Sequence, residues 1–158
     1  MPEGGFSFEG GLNAADLRLA VVVARFNAHV TSQLYDGCRE ELAERGLDPA
    51  QLLSVEVPGC FELPLVAKEL ASSGGFDAII CIGAIIRGDT PHFDFVSSET
   101  ASGIQRAALD TGVPVIFGVL TCDTMEQAID RAGGKAGNKG WDAALAAIEM
   151  VSLFRRLA

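Results

Sequence analysis

Four apolar runs punctuate this chain of 158 residues: "LRLAVVVA" (17–24), "LLSVEV" (52–57), "DAIICIGAII" (77–86) and "VPVIFGVLT" (113–121). They are rich in β-branched residues and barely alternate with polar ones. They therefore read as strands covered on both faces, the condition of a parallel sheet. Segments of helical spacing lie between them. In 29–46, Val30, Leu34, Cys38 and Leu42 recur every fourth position, and Gly46 offers a stop. Segment 61–75 reads as a shorter helix closed by Gly74 and Gly75, and 97–112 sets Ile104, Ala108 and Leu109 on one side. Segment 124–134 is short, whereas 141–157 places Trp141, Leu145 and Ile148 on a stripe. Strand and helix in alternation predict the α/β class: a three-layer α/β/α sandwich around a four-stranded parallel sheet. No repeat or linker divides the chain, so one domain spanning 1–158, with a Gly-rich N-terminal arm at 1–16, is expected.

Charge narrows the partners. The net charge is −9, and the basic residues are scattered, "FRR" at 154–156 being the densest group. Phosphate backbones and anionic lipid would be repelled, so neither nucleic acid nor membrane is an expected partner. No stretch approaches the ~20 apolar residues of a spanning helix. The opening "MPEGGFSFEGG" lacks the positive and apolar regions of a secretion signal. Cys38, Cys60, Cys81 and Cys122 form no CxxC pair and sit among apolar or small residues. They are expected to be reduced, buried thiols of a cytoplasmic protein.

In a parallel sheet, ligands gather beyond the carboxyl ends of the strands. Each apolar run leads there into polar residues: "RFNAH", "PGCFELP", "RGDTPHFD" and "TCDT". His92 is either a solvated helix-start histidine or a proton shuttle, since imidazole ordinarily exchanges its proton near neutrality. "RGDT" (87–90) is either a plain turn or an anion cradle, in which Gly88 lets the backbone approach and the Thr90 hydroxyl faces an oxyanion. Phe26 and Phe61 are core by default, yet at a strand mouth a ring can stack on a planar heterocycle. Glu62 fits the first turn of a helix. A Cys60–His92 nucleophile pair is disfavoured because nothing local resembles a cysteine-hydrolase signature. His29 reads as surface, and the two histidines give no metal-ligand spacing. "GGKAGNKG" (133–140) fails the Walker pattern and reads as a connector capped by Asn138, from which Arg131 and Lys139 could reach a ligand.

Taken together, "ARFN", "VPGCFELP", "GAIIRGDTPHFDFV", "PVIFGVLT" and "QAIDRAGGKAGNKG" resemble the signature blocks of the 6,7-dimethyl-8-ribityllumazine synthases, in order and in register from Leu17 to Glu149. The resemblance implies a flavodoxin-like sandwich whose N-terminal arm can add a strand to a neighbouring subunit. It implies condensation of 5-amino-6-ribitylaminouracil with 3,4-dihydroxy-2-butanone 4-phosphate, releasing phosphate and water, with no metal or organic cofactor. By the same resemblance Phe26 stacks on the pyrimidine, and Cys60, Phe61 and Glu62 line the ring and ribityl pocket. Ala84, Ile85 and Ile86 offer backbone groups to the uracil edge, Asp89 and Thr90 lie at the phosphate with Arg131, and His92 moves protons. Phe117, Arg131 and Lys139 come from an adjacent subunit. Many relatives carry a small residue such as Ala where Cys60 stands. The implied assembly is a homo-oligomer of pentamers, and the compact "GGKAGNKG" favours the icosahedral shell; riboflavin synthase is a further implied partner. Two rivals are weighed against this. A non-catalytic flavin or lumazine binder would need neither His92 nor Arg131, and an FMN carrier would want a hydroxyl-rich loop after the first strand, which "RFNAHVTSQ" is not.

Overall fold

The computed structural model describes residues 11–158. Strand β1 (Leu19–Ala24) leads to helix α1 (Ala28–Glu44), β2 (Leu53–Val57), α2 (Leu63–Ser72), β3 (Ala78–Ile86), α3 (His92–Thr111) and β4 (Val115–Cys122). Then come α4 (Met125–Arg131), the short strands β5 (Ala132–Gly134) and β6 (Gly137–Asn138), and α5 (Lys139–Leu157). Four strands form a parallel sheet in the order β2-β1-β3-β4, with Val22 beside Val55 on one side and Cys81 on the other, and with Cys81 beside Phe117. Helices cover both faces, which gives the three layers of a flavodoxin-like α/β sandwich.

The period of two along a strand explains why the runs are apolar throughout. Leu19, Val21, Ile80 and Ile82 enter one core with Val30, Leu34 and Leu42 of α1 and Ala144, Ala147 and Ile148 of α5. Their alternates Ala20, Val22, Ile79 and Cys81 enter the other core with Leu63 and Ala67 of α2 and Ile104 of α3. Burial on both faces holds for β1 and β3, whose residues are buried except Val23 and Ile86. It does not hold for β2, the sheet edge, where only Val57 is fully buried. In β4, the other edge, Phe117 and Thr121 are exposed.

Element ends differ from the sequence expectation where local chemistry outweighs periodicity. Helix α3 begins at His92, five residues ahead of the expected start, with Pro91 at its N-cap and Asp94 in its first turn. Leu109 faces away from the sheet and is exposed, while Thr100, Ile104 and Ala107 form the buried stripe. On α5 the buried stripe is Ala143, Ala144, Ala147, Ile148 and Val151; Trp141 is exposed and Leu145 half-buried. In place of a plain connector over 133–140, residues 132–138 form a miniature antiparallel pair, β5–β6. Asn138 does cap α5: its Oδ1 accepts from the Gly140 N–H at 2.7 Å, and its Nδ2 donates to the Gln33 carbonyl at 3.3 Å. Helix α4 carries a full capping box between Thr124 and Gln127. The expected arm, 1–16, lies outside the described residues as far as residue 10; residues 11–16 contain no strand.

Candidate functional site

Strand β3 outruns its neighbour. Its last partner in β1 is Val23, beside Ile82, yet it stays paired with β4 as far as Ile86 and Cys122. Beyond Ile82 one edge of β3 therefore faces a cleft rather than a strand. The Arg87 and Ile79 N–H groups donate to Cys122 and Pro114, so odd-numbered residues turn toward β4 and even-numbered ones toward the cleft. Ile85 is thus committed to the ladder. The Ala84 carbonyl accepts a 2.9 Å hydrogen bond from Asn27 Nδ2, and its backbone also hydrogen-bonds the Cys60 thiol. This leaves the Ile86 N–H and C=O as the main-chain donor and acceptor turned to the cleft.

Asn27 holds this geometry at a backbone cost. It is the one non-glycine among the described residues with positive φ, 63°, a region Asn tolerates better than most side chains. As N-cap of α1 its side chain makes no capping bond and instead crosses to β3.

The cleft holds about 750 Å³, within the range of small-molecule sites. Phe26, Cys60, Phe61, Glu62, Ala84, Ile85, Ile86, Thr90 and His92 all line it. So do Asn27, Gly88, Phe93 and Phe95. Phe26 is 72% exposed, Phe61 59% and Phe95 68%, so three ring faces stand in solvent around one cavity. Such a concentration of exposed rings marks a recognition surface rather than a core. His92 opens α3, and its N–H makes a long 3.4 Å contact to Thr90 Oγ1. Gly88 is not left-handed, and the space where its side chain would stand is open. Asp89 is exposed in the same loop and does not line the cleft.

Burial pushes the Cys60 thiol up to about 12; a backbone hydrogen bond from Ala84 partly opposes this and the Glu62 charge adds to it. Burial thus disfavours the thiolate that a nucleophilic Cys60–His92 pair would need. The thiol packs where Gly83 leaves room, since any Cβ at Gly83 would collide with Cys60 Sγ.

Among the described residues no lysine or arginine lines this cleft. The cations lie elsewhere. Phe117, Arg131 and Lys139 line a second cavity of about 440 Å³ with Cys122 and Asp142. Arg131 Nη1 donates to the Gln127 carbonyl at 3.0 Å, which steadies it at the end of α4. Among the described residues neither Arg131 nor Lys139 has a carboxylate within ion-pair distance. One chain thus carries the rings and the imidazole in one cavity and the unpaired cations in another. Among the described residues no three His, Cys, Asp or Glu side chains converge as a metal site.

Comparison with known proteins gives this arrangement a family. The family model described as 6,7-dimethyl-8-ribityllumazine synthase matches residues 16–155. The chain belongs to the 6,7-dimethyl-8-ribityllumazine synthase family. It is 56% identical over 149 residues to a protein of that name from Syntrophus aciditrophicus (strain SB), covering 94% of this chain and 97% of the relative. Asn27 and Phe95 line the first cavity and Asp142 the second without having been singled out in the sequence. An Asn directly after a strand and before a helix was the available signal for Asn27, because that junction demands an unusual turn. Phe95 and Asp142 carry no such mark, since each stands in a helix where a ring or a carboxylate is ordinary.

Proposed function

We propose that the chain condenses 5-amino-6-ribitylaminouracil with 3,4-dihydroxy-2-butanone 4-phosphate to 6,7-dimethyl-8-ribityllumazine, releasing phosphate and water, the penultimate step of riboflavin biosynthesis. The observation that carries the reading is the family match over nearly the whole chain. The cleft chemistry supports it. Phe26 offers a face to a pyrimidine, and the Ile86 N–H and C=O match the donor–acceptor edge of a uracil. Glu62 accepts from ribityl hydroxyls.

The aromatic amine attacks the ketone carbon, and loss of water gives an imine. A carbon-bound proton then leaves, the phosphate departs with the electrons of its C–O bond, and the resulting enol becomes a carbonyl. The ribitylamino nitrogen attacks that carbonyl carbon, and loss of a second water closes the ring. His92, exposed at the cleft mouth, moves protons in these steps. Arg131, with Lys139, holds the phosphate through charge-assisted hydrogen bonds that strengthen as negative charge develops. Because the amine is already nucleophilic, much of the acceleration comes from holding both substrates together.

The aromatic cleft and the cations Arg131 and Lys139 line separate cavities of one chain, which fits the family resemblance, in which the cationic side comes from an adjacent subunit. The reading therefore makes the working site a joint one, with the His92 cleft of one chain closed by Phe117, Arg131 and Lys139 of its neighbour. A ring of chains satisfies that need for every member; the family resemblance makes that ring a pentamer, with the shell as the larger assembly. The chain works in the cytoplasm on this reading, supported by four free, buried thiols. No helix among the described residues is long and apolar enough to cross a membrane. Incubation of the purified chain with both substrates should yield the green-fluorescent product. Arg131→Ala should raise KM for the phosphorylated substrate about 10- to 100-fold, the worth of a lost charge-assisted contact. Unchanged kinetics in that variant would contradict the phosphate role.

A further inference from the structure

Arg87 has no part in the reaction as described, yet it holds the most connected position at the mouth of the sheet. Its N–H donates to the Cys122 carbonyl at 2.9 Å, fixing its main chain against the end of β4. Its Nε donates to Asp123 Oδ1 at 2.9 Å, and its Nη1 reaches Asp94 Oδ1 at 3.4 Å. The guanidinium also lies over the Phe93 ring, 4.4 Å from its centre. Asp94 and Phe93 belong to the first turn of α3, directly after His92.

The network continues on the far side. The Asp123 N–H donates to Gln127 Oε1 at 2.8 Å, so the residue that receives Arg87 is itself held by the capping box of α4. Gln127 in turn presents its carbonyl to Arg131. One guanidinium thus ties the turn bearing His92 to the helix bearing Arg131. Ion pairs this exposed add little to global stability, so the consequence of the clamp is local placement.

The geometry points to Arg87 as a positioning residue, a clamp that sets the first turn of α3, and with it His92 and Phe93, against the β4–α4 corner. This rests on the condensation proposed above for its kinetic readout. It acts through Asp94, Asp123 and Phe93 and touches no substrate. Lysine is a poor replacement because it lacks the planar fork that reaches two carboxylates at once.

The test is steady-state kinetics on Arg87→Met, Arg87→Lys, Asp123→Asn and the double variant Arg87→Met with Asp123→Asn, alongside amide hydrogen exchange of residues 93–96. A misplaced catalytic group is expected to lower kcat about tenfold or more. Both KM values should stay within about twofold, Arg87→Lys should recover part of the loss, and the double variant should fall no further than the worse single one. Exchange at 93–96 should quicken in Arg87→Met while the thermal midpoint moves little. A kcat within about twofold of the unaltered chain would overturn the proposal, as would losses that multiply in the double variant. A defect confined to KM for the phosphorylated substrate would overturn it too, by making Arg87 a binding group. If the unaltered chain makes no product, the condensation fails while hydrogen exchange still decides the clamp: unchanged protection at 93–96 refutes it.

Discussion

Phe26→Ala separates a ring kept for a ligand from a ring kept for the fold. Phe26 is 72% exposed, so of its roughly 200 Å² only about 55 Å² is withdrawn from water. At ~25 cal/mol per Å² that burial stabilises by about 1.4 kcal/mol, against the ~3–5 kcal/mol lost when a core Phe is truncated. Stacking on a planar base is worth about 1–3 kcal/mol, so the affinity for the ribitylaminopyrimidine should fall about 5- to 150-fold. Urea unfolding supplies the first quantity, and fluorescence titration with the pyrimidine together with its KM supplies the second. The expected pattern is a small stability loss, a large loss of pyrimidine binding, and little change in KM for the phosphorylated partner. A variant that loses several kcal/mol of stability while binding the pyrimidine normally would refute the reasoning.

His92→Ala should lower kcat about 100-fold or more yet leave activity above background, because proximity persists without the shuttle; complete loss in a folded variant would give His92 a larger role. Burial holds the thiols of Cys38, Cys60 and Cys81 up at about 12, from an ordinary 9.0. Folded-state values raised in this way contribute stability that is whole below pH 9 and drains away as pH climbs toward 12. Urea midpoints should therefore fall between pH 8.5 and pH 10.5 and fall less steeply in Cys38→Ala; identical pH slopes for the two chains would contradict this. Gly140→Ala should cost about 3 kcal/mol or more, because a Cβ there would sit within contact distance of the Leu34 carbonyl of α1, backbone that cannot rotate aside. A near-normal melting curve for that variant would show that the α1–α5 contact is looser than described.

The sheet was legible because its central strands β1 and β3 are buried on both faces and so read as unbroken apolar runs. The edge strands β2 and β4 were read as strands although they are only partly buried. The helices were legible where apolar residues recur on one face, as in α1, and less so where alanine forms the stripe. Along α5 the small Ala143, Ala144 and Ala147 are buried while Trp141 is exposed, and hydrophobicity alone ranks the tryptophan above them. The start of α3 was hidden because "HFDFV" has the aromatic, alternating look of a strand; Pro91 and Asp94 were the residues that mark a helix entry there.

The candidate site was legible as a set of residues following strands, but not as a partition. Spacing cannot tell that Phe26, Glu62 and His92 share one cavity while Arg131 and Lys139 face another. Nor can it tell that Asn27 occupies the Ala84 carbonyl, which depends on β3 outrunning β1. Arg87 was read only within "RGDT", as a turn or an anion cradle, because its partners Asp94 and Asp123 meet it through the fold.

The shared site is tested most directly by complementation between chains. A double variant, Phe26→Ala with His92→Ala, disables the aromatic cleft, and Arg131→Ala disables the cationic one. If neighbouring chains build each site together, coexpression of the two should restore roughly a quarter of the sites, since random mixing in a symmetric ring pairs the two intact halves that often. Product formation well above that of either variant alone is the expected result. Coexpressed chains no more active than the sum of the separately made variants would show that neighbouring chains do not share a site.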